Sequence, residues 1–264
     1  MPVEIVEPLP LDAFFRPDSW PSGTGALMTT RLGGVSLAPF DSLNFKAQTV
    51  DPLDQIGVAE NRRRFATTLG ATPVFLDQVH GTRVVRLTAA HASPDAAVEC
   101  ADAAITSVPG IACTVMVADC LPVLFATRDG RAVGAAHAGW RGLAGGVLEA
   151  TVDAIRAAVP VAAADIVAWL GASIGPARFE VGADVLAAFH AAEVRHFVPA
   201  PAQDGVPRWL ADLPALAEGR LRRLGLTEVS GCGLCTVGDA SRFFSYRRDR
   251  VSGRLAAAAW IGVS

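Results

Sequence analysis

The sequence has little charge, no excess of basic residues and no long hydrophobic run. Charged residues make up 19% of its 264 residues, and 23 basic against 26 acidic side chains give a net charge of −3. This balance provides no general attraction to nucleic acid or anionic membranes, so any phosphate recognition must be local. No run reaches the roughly 18 apolar residues of a membrane helix, and the start lacks a secretory signal's basic residues. We therefore expect a cytoplasmic protein without nucleic-acid or membrane partners.

Cysteine is also scarce: there are five, an odd number spread along the chain. A chain of this size buries roughly 73% of its unfolded surface, so its stability does not depend on disulfides and reduced thiols are expected. No linker, repeat or low-complexity stretch divides the sequence. We predict a single domain over residues 1–264.

Short runs of β-forming residues alternate with helical patterns. An α+β fold with mixed sheets is therefore expected. An Asp51-Pro52 pair is typical of a helix start. The predicted strands include residues 25–30, 74–79, 84–87, 111–117, 123–126, 132–136 and 166–170, with others near 229 and 256, and the predicted helices span residues 51–70, 143–158, 183–192 and 213–224.

Three residues that bind soft metals, His80, Cys120 and His137, stand at the ends of hydrophobic runs. A lone histidine or cysteine is usually a packed residue, but turn-forming or polar neighbours surround all three. The Asp129-Gly130 turn predicts a hairpin that brings Cys120 and His137 together. Two imidazoles and one thiolate are typical of a catalytic zinc site, which leaves a fourth position for water or substrate.

Several other residues are candidates for binding substrate. Arg141 lies at the start of the helix that follows His137, where free amides and the helix dipole favour anions. Arg31 precedes a glycine pair, and Asp119 is a possible proton carrier beside Cys120. Arg247, among other arginines and next to Phe243, Phe244 and Tyr246, indicates either a phosphate and base site or an edge strand with a solvated basic end. The Cys232/Cys235 pair could form a redox or metal site, but a single pair of this kind is weak evidence. It favours structural thiols instead.

The motifs resemble, in order and over nearly the whole chain, those of the single-domain laccase-domain proteins, also called polyphenol oxidases, which include bacterial purine nucleoside phosphorylases. The matching peptides are Thr29-Thr30-Arg31-Leu32-Gly33-Gly34-Val35-Ser36, Asp41-Ser42-Leu43-Asn44, Glu60-Asn61-Arg62, Gln78-Val79-His80-Gly81, Asp119-Cys120-Leu121-Pro122-Val123, His137-Ala138-Gly139-Trp140-Arg141-Gly142, Ile174-Gly175-Pro176 and Phe243-Phe244-Ser245-Tyr246-Arg247-Arg248-Asp249. Departures are Phe45-Lys46, where the family often has Leu-Gly, and Val117, where threonine is common.

The resemblance implies a single-domain α-β-β-α sandwich and a zinc ion held by His80, Cys120 and His137. It also implies phosphorolysis of adenosine, inosine and methylthioadenosine, together with adenosine deamination. Arg31, Asn44, Arg141 and Arg247 are then candidate substrate or phosphate contacts. We expect a zinc-dependent purine nucleoside phosphorylase with adenosine deaminase activity.

Three alternatives remain. Five histidines without a His-X-His pair are too few for a multicopper oxidase, although Met116 is a candidate axial ligand for a lone copper. A cysteine hydrolase that edits peptidoglycan precursors would use Cys120 as nucleophile and His80 or His137 as base. A non-catalytic metal-binding module would close the zinc with a fourth protein ligand.

Overall fold

Strands and helices alternate along the chain in the computed structural model, which describes residues 6–47, 49 and 51–263. In chain order, the strands are β1 (Phe14–Phe15), β2 (Thr24–Thr29), β3 (Thr72–Val74), β4 (Val84–Leu87), β5 (Ala103–Thr106), β6 (Ile111–Val117), β7 (Leu121–Thr127), β8 (Val133–Ala138), β9 (Ile166–Leu170), β10 (Glu180–Val181), β11 (Phe197–Gln203), β12 (Val206–Ala211), β13 (Glu228–Gly231) and β14 (Leu255–Ile261). The α-helices are α1 (Pro52–Leu69), α2 (Trp140–Gly145), α3 (Val147–Ala158), α4 (Ala183–Ala187), α5 (Leu213–Arg223) and α6 (Tyr246–Asp249).

Two large mixed sheets form the centre of the fold. The first has the strand order β1-β2-β14-β6-β3, and the second has the order β13-β9-β7-β8-β5-β4. Strand β3 runs parallel to β6, β13 parallel to β9 and β4 parallel to β5, whereas the other pairs in these two sheets are antiparallel. The expected mixed sheets are therefore confirmed.

The two sheets face each other across a hydrophobic core. This core is formed by inward side chains of both sheets, including Val115, Leu124, Ala135 and Ala257. On the outer face of the second sheet, α3 and α5 bury a further set of apolar side chains, including Leu148, Val152, Ile155, Leu216 and Leu221. On the outer face of the first sheet, Phe65 and Leu69 of α1 pack against Leu27 and Trp260. The layers are thus helix, sheet, sheet and helix, the single-domain α-β-β-α sandwich that the family resemblance implies.

Local signals explain the two elements that were predicted most closely. Helix α1 begins at Pro52, and the side chain of Asp51 caps it by accepting a hydrogen bond from the amide of Leu53. The helix ends at Gly70, whose φ of 62° is the left-handed conformation that glycine adopts readily. In the β7–β8 hairpin, Gly130 has a φ of 71°. Both predictions are confirmed.

Two predicted elements differ from the structure. The strand expected over 74–79 ends at Val74, because the Gln78 side chain pairs with both backbone groups of Met116 (2.8 Å each) and the chain leaves the sheet. The helix expected over 143–158 is interrupted at Gly146, which has a φ of 100° and separates α2 from α3. Because β3 ends at Val74, His80 lies in a loop between β3 and β4, not directly at a strand end.

A third sheet, with the order β10-β12-β11, flanks in sequence the segment where a helix is expected over 183–192. Helix α4 is shorter than predicted and ends at Ala187. None of the helices in the described part of the chain is both long and apolar enough to span a bilayer.

Candidate metal centre

The three predicted metal-binding residues come together at one end of β7 and β8, two inner strands of the second sheet. Strands β7 and β8 pair Pro122 with His137, so Cys120, just before β7, lies near the end of β8. The loop between β3 and β4 brings His80 to the same place. Its Nε2 atom is 3.8 Å from Sγ of Cys120, and the candidate donor atoms of all three residues lie within 4.8 Å of one another.

A buried carboxylate, Asp102, positions both histidines. Its Oδ1 lies 2.8 Å from Nδ1 of His137 and accepts a hydrogen bond from the amide of His80, also at 2.8 Å. Its Oδ2 accepts from the amides of Val79 (3.1 Å) and Gly81 (2.7 Å). These bonds hold His80 at a φ of 62°, an uncommon conformation for a residue with a side chain.

Sequence reasoning missed Asp102. The one signal for it was a single carboxylate within the apolar run 101–105, because a fully buried acid needs a specific partner. A carboxylate behind a metal-binding histidine fixes the tautomer and the orientation of the ring. With Nδ1 facing Asp102, Nε2 of His137 is the nitrogen left for a metal.

Cys120 and His137 shift each other's pKa. Burial raises the pKa of the Cys120 thiol, but the charges and hydrogen bonds of His137 and His80 outweigh it and bring the pKa to about 6. Burial lowers the pKa of His137, whereas Cys120 and Asp102 together raise it to about 9. Without a metal, the favoured state is therefore a thiolate beside a protonated imidazole. A metal ion held by these residues would take the place of that proton.

The donor set fits an open metal site. In a tetrahedral zinc site, nitrogen and sulfur ligands are separated by roughly 3.4–3.6 Å, close to the 3.8 Å between His80 and Cys120. Gly139 is tightly enclosed, because a Cβ atom there would lie 2.9 Å from Cδ2 of His80 and 3.0 Å from Sγ of Cys120. Across the described residues, the group contains three His, Cys or acidic side chains and no fourth. Two nitrogens and one sulfur suit either zinc or copper.

Asp119, the predicted proton carrier, links two distant segments to the turn before Cys120. Its Oδ1 accepts a hydrogen bond from the hydroxyl of Thr236 and its Oδ2 accepts from the amide of Arg247, both at 2.6 Å. The residue has a φ of 86°, which these bonds help to hold. Asp119 therefore fixes the position of the Cys120 turn.

A cavity of about 380 Å³ opens beside the triad. A volume of this size is typical of small-molecule sites. Besides His80, Cys120 and His137, its wall includes the side chains of Lys46, Tyr246 and Arg254. Burial lowers the pKa of the Arg254 guanidinium, and the neighbouring Cys120, Asp119 and Tyr246 act in the opposite direction.

Asn44 lies behind this wall. It is completely buried, and its Oδ1 accepts hydrogen bonds from the amides of Arg254 (2.8 Å) and Lys46 (3.2 Å). Its amide nitrogen donates to the carbonyl of Lys46 at 2.9 Å. The structure therefore places Asn44 as a support for two cationic residues of the cavity.

The three arginines predicted as phosphate contacts are not among the residues that line this cavity. Arg31 pairs with Asp41 at 3.3 Å and stacks on Phe244. Arg141 is exposed, and its guanidinium lies over the ring of its neighbour, Trp140, 4.2 Å from the centroid. Arg247 donates to the carbonyl of Glu180 and borders a second cavity of about 220 Å³, whose wall also includes Cys120. The wall of the larger cavity includes none of the three.

The aromatic cluster near the C-terminus is divided between core and site. Phe243 and Phe244 are buried between the sheets, with 0% and 1% exposure, and are not available to stack on a base. Tyr246 is 50% exposed and borders both cavities. The alternative of an edge strand is wrong, because residues 246–249 form α6, which the Ser245 side chain caps.

The cysteines of the Cys232/Cys235 pair are free thiols outside the triad. Sγ of Cys235 accepts a hydrogen bond from the amide of Gly175 at 3.2 Å, and burial raises the pKa of Cys232. Both observations favour the structural role.

Known proteins resemble this chain in sequence and fold. The family model described as multi-copper polyphenol oxidoreductase laccase matches residues 25–262. A purine nucleoside phosphorylase of Pseudomonas aeruginosa is 48% identical over 256 residues, which cover 95% of this chain and 99% of that protein. Purine nucleoside phosphorylase YfiH of Escherichia coli K12 is 47% identical over 243 residues, with coverages of 91% and 95%. The crystal structure of a Neisseria meningitidis protein assigned to DUF152 has a TM-score of 0.85 and 41% identity, covering 95% of this chain and 100% of that one.

Proposed function

The chain belongs to the multi-copper polyphenol oxidoreductase laccase family, and we propose that it is a zinc-dependent purine nucleoside phosphorylase. The observation that carries the proposal is the group of His80, Cys120 and His137 at the wall of a cavity of small-molecule size. The names of relatives at 47–48% identity support the choice of reaction. The proposed substrates are adenosine, inosine and methylthioadenosine with inorganic phosphate, and adenosine deamination is a second proposed activity.

The word laccase in the family description names the family and not this proposed chemistry. A multicopper oxidase needs a blue-copper centre and a further cluster rich in imidazole. Of the five histidines, only His80 and His137 belong to the metal-binding group. The ring of His91, for example, accepts a hydrogen bond from the amide of Thr88 instead.

The proposed cofactor is zinc, held by Nε2 of both histidines and the thiolate of Cys120. Zinc at this place would supply Lewis-acid chemistry, polarising an oxygen of substrate or water. The chain's own groups prepare the site: Asp102 orients His137 and fixes the His80 loop, and Asp119 fixes the Cys120 turn. A rigid, pre-oriented set of ligands is what an open catalytic site requires.

Phosphorolysis forms a bond from a phosphate oxygen to C1′ of the sugar and breaks the bond from C1′ to the purine nitrogen. The departing purine takes up a proton, and the phosphate carries negative charge into the site. The cavity can balance the negative charge of the phosphate, because Lys46 and Arg254 belong to its wall. Tyr246, exposed at the same wall, offers an aromatic face to the purine.

The test is metal analysis followed by product identification. Purified protein is expected to contain about one zinc per chain, since each chain provides one open three-ligand site. Adenosine with phosphate should give adenine and ribose 1-phosphate, together with inosine and the hypoxanthine that phosphorolysis of inosine releases. Adenosine without phosphate should give only inosine and ammonia. Cys120→Ala should lose both metal and turnover, whereas Cys100→Ala, at an exposed free thiol, should retain both.

Three results would contradict the proposal. Full activity with stoichiometric zinc in Cys120→Ala would remove the metal assignment. Equal consumption of inosine without phosphate would indicate hydrolysis in place of phosphorolysis. Copper in place of zinc, at full occupancy of an active enzyme, would point to Met116, which also borders the cavity, as an axial ligand.

A second candidate function is supported by the order of Asp102, His137 and Cys120. A carboxylate on Nδ1 of a histidine beside a thiolate is the arrangement of cysteine hydrolases. A pKa of about 6 for Cys120 would keep the nucleophile ionised near neutral pH. Activity that resists chelators, with an acyl group trapped on Cys120 from a peptidoglycan precursor, would establish this function and displace the first.

The third alternative, a closed structural zinc, requires a fourth protein ligand. In the described part of the chain, no fourth His, Cys, Asp or Glu side chain joins the triad. An open coordination position supports catalysis over a purely structural metal.

A further inference from the structure

Arg254 is held rigidly at the wall of the cavity. Its amide donates to Oδ1 of Asn44 at 2.8 Å, and its Nη1 donates to the carbonyls of Ser252 (2.7 Å) and Gly253 (3.1 Å). These bonds use one edge of the guanidinium, while Nε and Nη2 form no hydrogen bond to any described residue. Two donor nitrogens of a fixed guanidinium thus remain for a ligand.

No carboxylate in the described part of the chain forms an ion pair with Arg254. Arg31, Arg220 and Arg248, by contrast, pair with Asp41, Glu193 and Asp249. Arg254 is half-buried at a cavity whose described lining residues include no acid. A partly desolvated guanidinium in this setting is stabilised by an anion, and its planar donors match phosphate oxygens.

Lys46 adds a second cation to the same wall. Asn44 bonds to both backbone groups of Lys46, at 3.2 Å and 2.9 Å, and also to the amide of Arg254. One buried side chain therefore sets the positions of both cationic residues. The cavity wall that carries them also carries His80, Cys120 and His137, so an anion bound there lies beside the metal centre.

From this geometry we propose that Arg254 and Lys46 form the phosphate subsite, with Asn44 as the positioning residue behind them. The ligand is a phosphate dianion, and the proposal assigns it to inorganic phosphate as co-substrate, an assignment that rests on the proposed phosphorylase function. Arg254 provides the directional donors and Lys46 a point charge. The subsite differs from the predicted contacts Arg31, Arg141 and Arg247, which are not among the residues that line this cavity.

The test compares holoenzymes carrying Arg254→Gln or Lys46→Gln with the wild type. Arg156→Gln, at an exposed position of α3, is the matched control. Loss of charge-assisted hydrogen bonds should raise the KM for phosphate about tenfold or more in Arg254→Gln, and about threefold in Lys46→Gln. The KM for inosine and the zinc content should stay at wild-type values in all three variants.

An unchanged phosphate KM in both cavity variants overturns the proposal, and so does an equal rise in the phosphate and inosine KM values. If circular dichroism shows that Arg254→Gln does not fold, the Lys46→Gln result decides alone. Inhibition by adenosine monophosphate distinguishes the source of the phosphate. A weaker inhibition in the variants without any change in the phosphate KM assigns the cations to a nucleotide and overturns the co-substrate assignment.

Direct binding of inorganic phosphate, followed by phosphorus NMR, separates the subsite from the reaction. In one outcome, the wild type binds phosphate but does not cleave inosine, and Arg254→Gln does not bind phosphate. That outcome supports the subsite and removes the phosphorylase function. Phosphate-dependent cleavage that is insensitive to both variants supports the function and removes the subsite.

Discussion

One carboxylate oxygen of Asp102 lies 2.8 Å from Nδ1 of His137 and accepts a hydrogen bond of the same length from the amide of His80. The two histidines come from different parts of the chain, a sheet strand and a loop. A single buried group therefore determines whether their nitrogens can converge on one ion. The arrangement explains why an acid is kept in a fully buried position.

Asp102→Asn is expected to weaken metal binding by roughly 10- to 100-fold, because an amide cannot accept all of these hydrogen bonds and carries no charge toward His137. The measurement is competition with a zinc chelator. Asp165→Asn, at an exposed position, is the control and should bind metal as the wild type does. Unchanged affinity in Asp102→Asn would show that His137 is oriented by its packing alone.

Gly139→Ala should prevent assembly of the centre, because the new methyl carbon would lie about 3 Å from atoms of both His80 and Cys120. We expect metal content to fall well below one ion per chain, with a far-UV circular dichroism spectrum like that of the wild type. Gly219→Ala provides the comparison, since the nearest atoms to its Cβ are at ordinary contact distances, 3.6 Å and 4.0 Å. Full occupancy in Gly139→Ala would mean that the ligands move apart without loss of binding.

Tyr246→Leu should raise the KM for inosine about tenfold, if base stacking on an exposed aromatic ring contributes 1–3 kcal/mol as it does for nucleic-acid bases. Tyr246→Phe retains the aromatic face and should keep the KM within about twofold of wild type on the same physical ground. The phosphate KM should stay constant in both. A loss in Tyr246→Phe as large as in Tyr246→Leu would assign the effect to the hydroxyl.

The ion pair between Glu193 and Arg220 should make the free energy of unfolding depend on pH in the acidic range. Burial raises the pKa of Glu193, but hydrogen bonds from Arg220, His190 and Arg223 outweigh it and lower the pKa from 4.5 to about 2. The carboxylate therefore stabilises the fold fully above about pH 4.5, and this contribution is lost as the pH falls toward 2. Urea unfolding between pH 6 and pH 2 measures it.

Glu193→Gln leaves a buried guanidinium without its main partner, so the free energy of unfolding at neutral pH should fall by about 3–5 kcal/mol. Glu218→Gln breaks an exposed pair with Arg222 and should change it by less than about 1 kcal/mol. Equal effects of the two substitutions would show that the buried pair is replaceable by its surroundings.

Much of the fold was predictable because its signals are local. The cap and proline of α1, the Asp-Gly turn of the β7–β8 hairpin and the apolar strands at the centre all depend on neighbouring residues. The convergence of Cys120 and His137 follows from that hairpin. His80 joins them through a loop, and its peptide was recognisable although its conformation was not.

The rest depends on contacts between distant residues. The loop around His80 leaves the sheet because Gln78 pairs with Met116, which is 38 residues away. Asp102 and Arg254 gain their roles from partners that no local pattern reveals. Arg31 shows that a motif does not reveal its partners, since its position in a matching peptide predicts an anion contact and its side chain pairs with Asp41 in the structure.

The candidate metal ligands are divided between a hairpin and a separate loop. One local turn brings Cys120 and His137 together, whereas the position of His80 also depends on the bonds from residues 79–81 to Asp102. A substitution that releases this loop is therefore expected to separate His80 from the other two ligands while the β7–β8 hairpin stays paired.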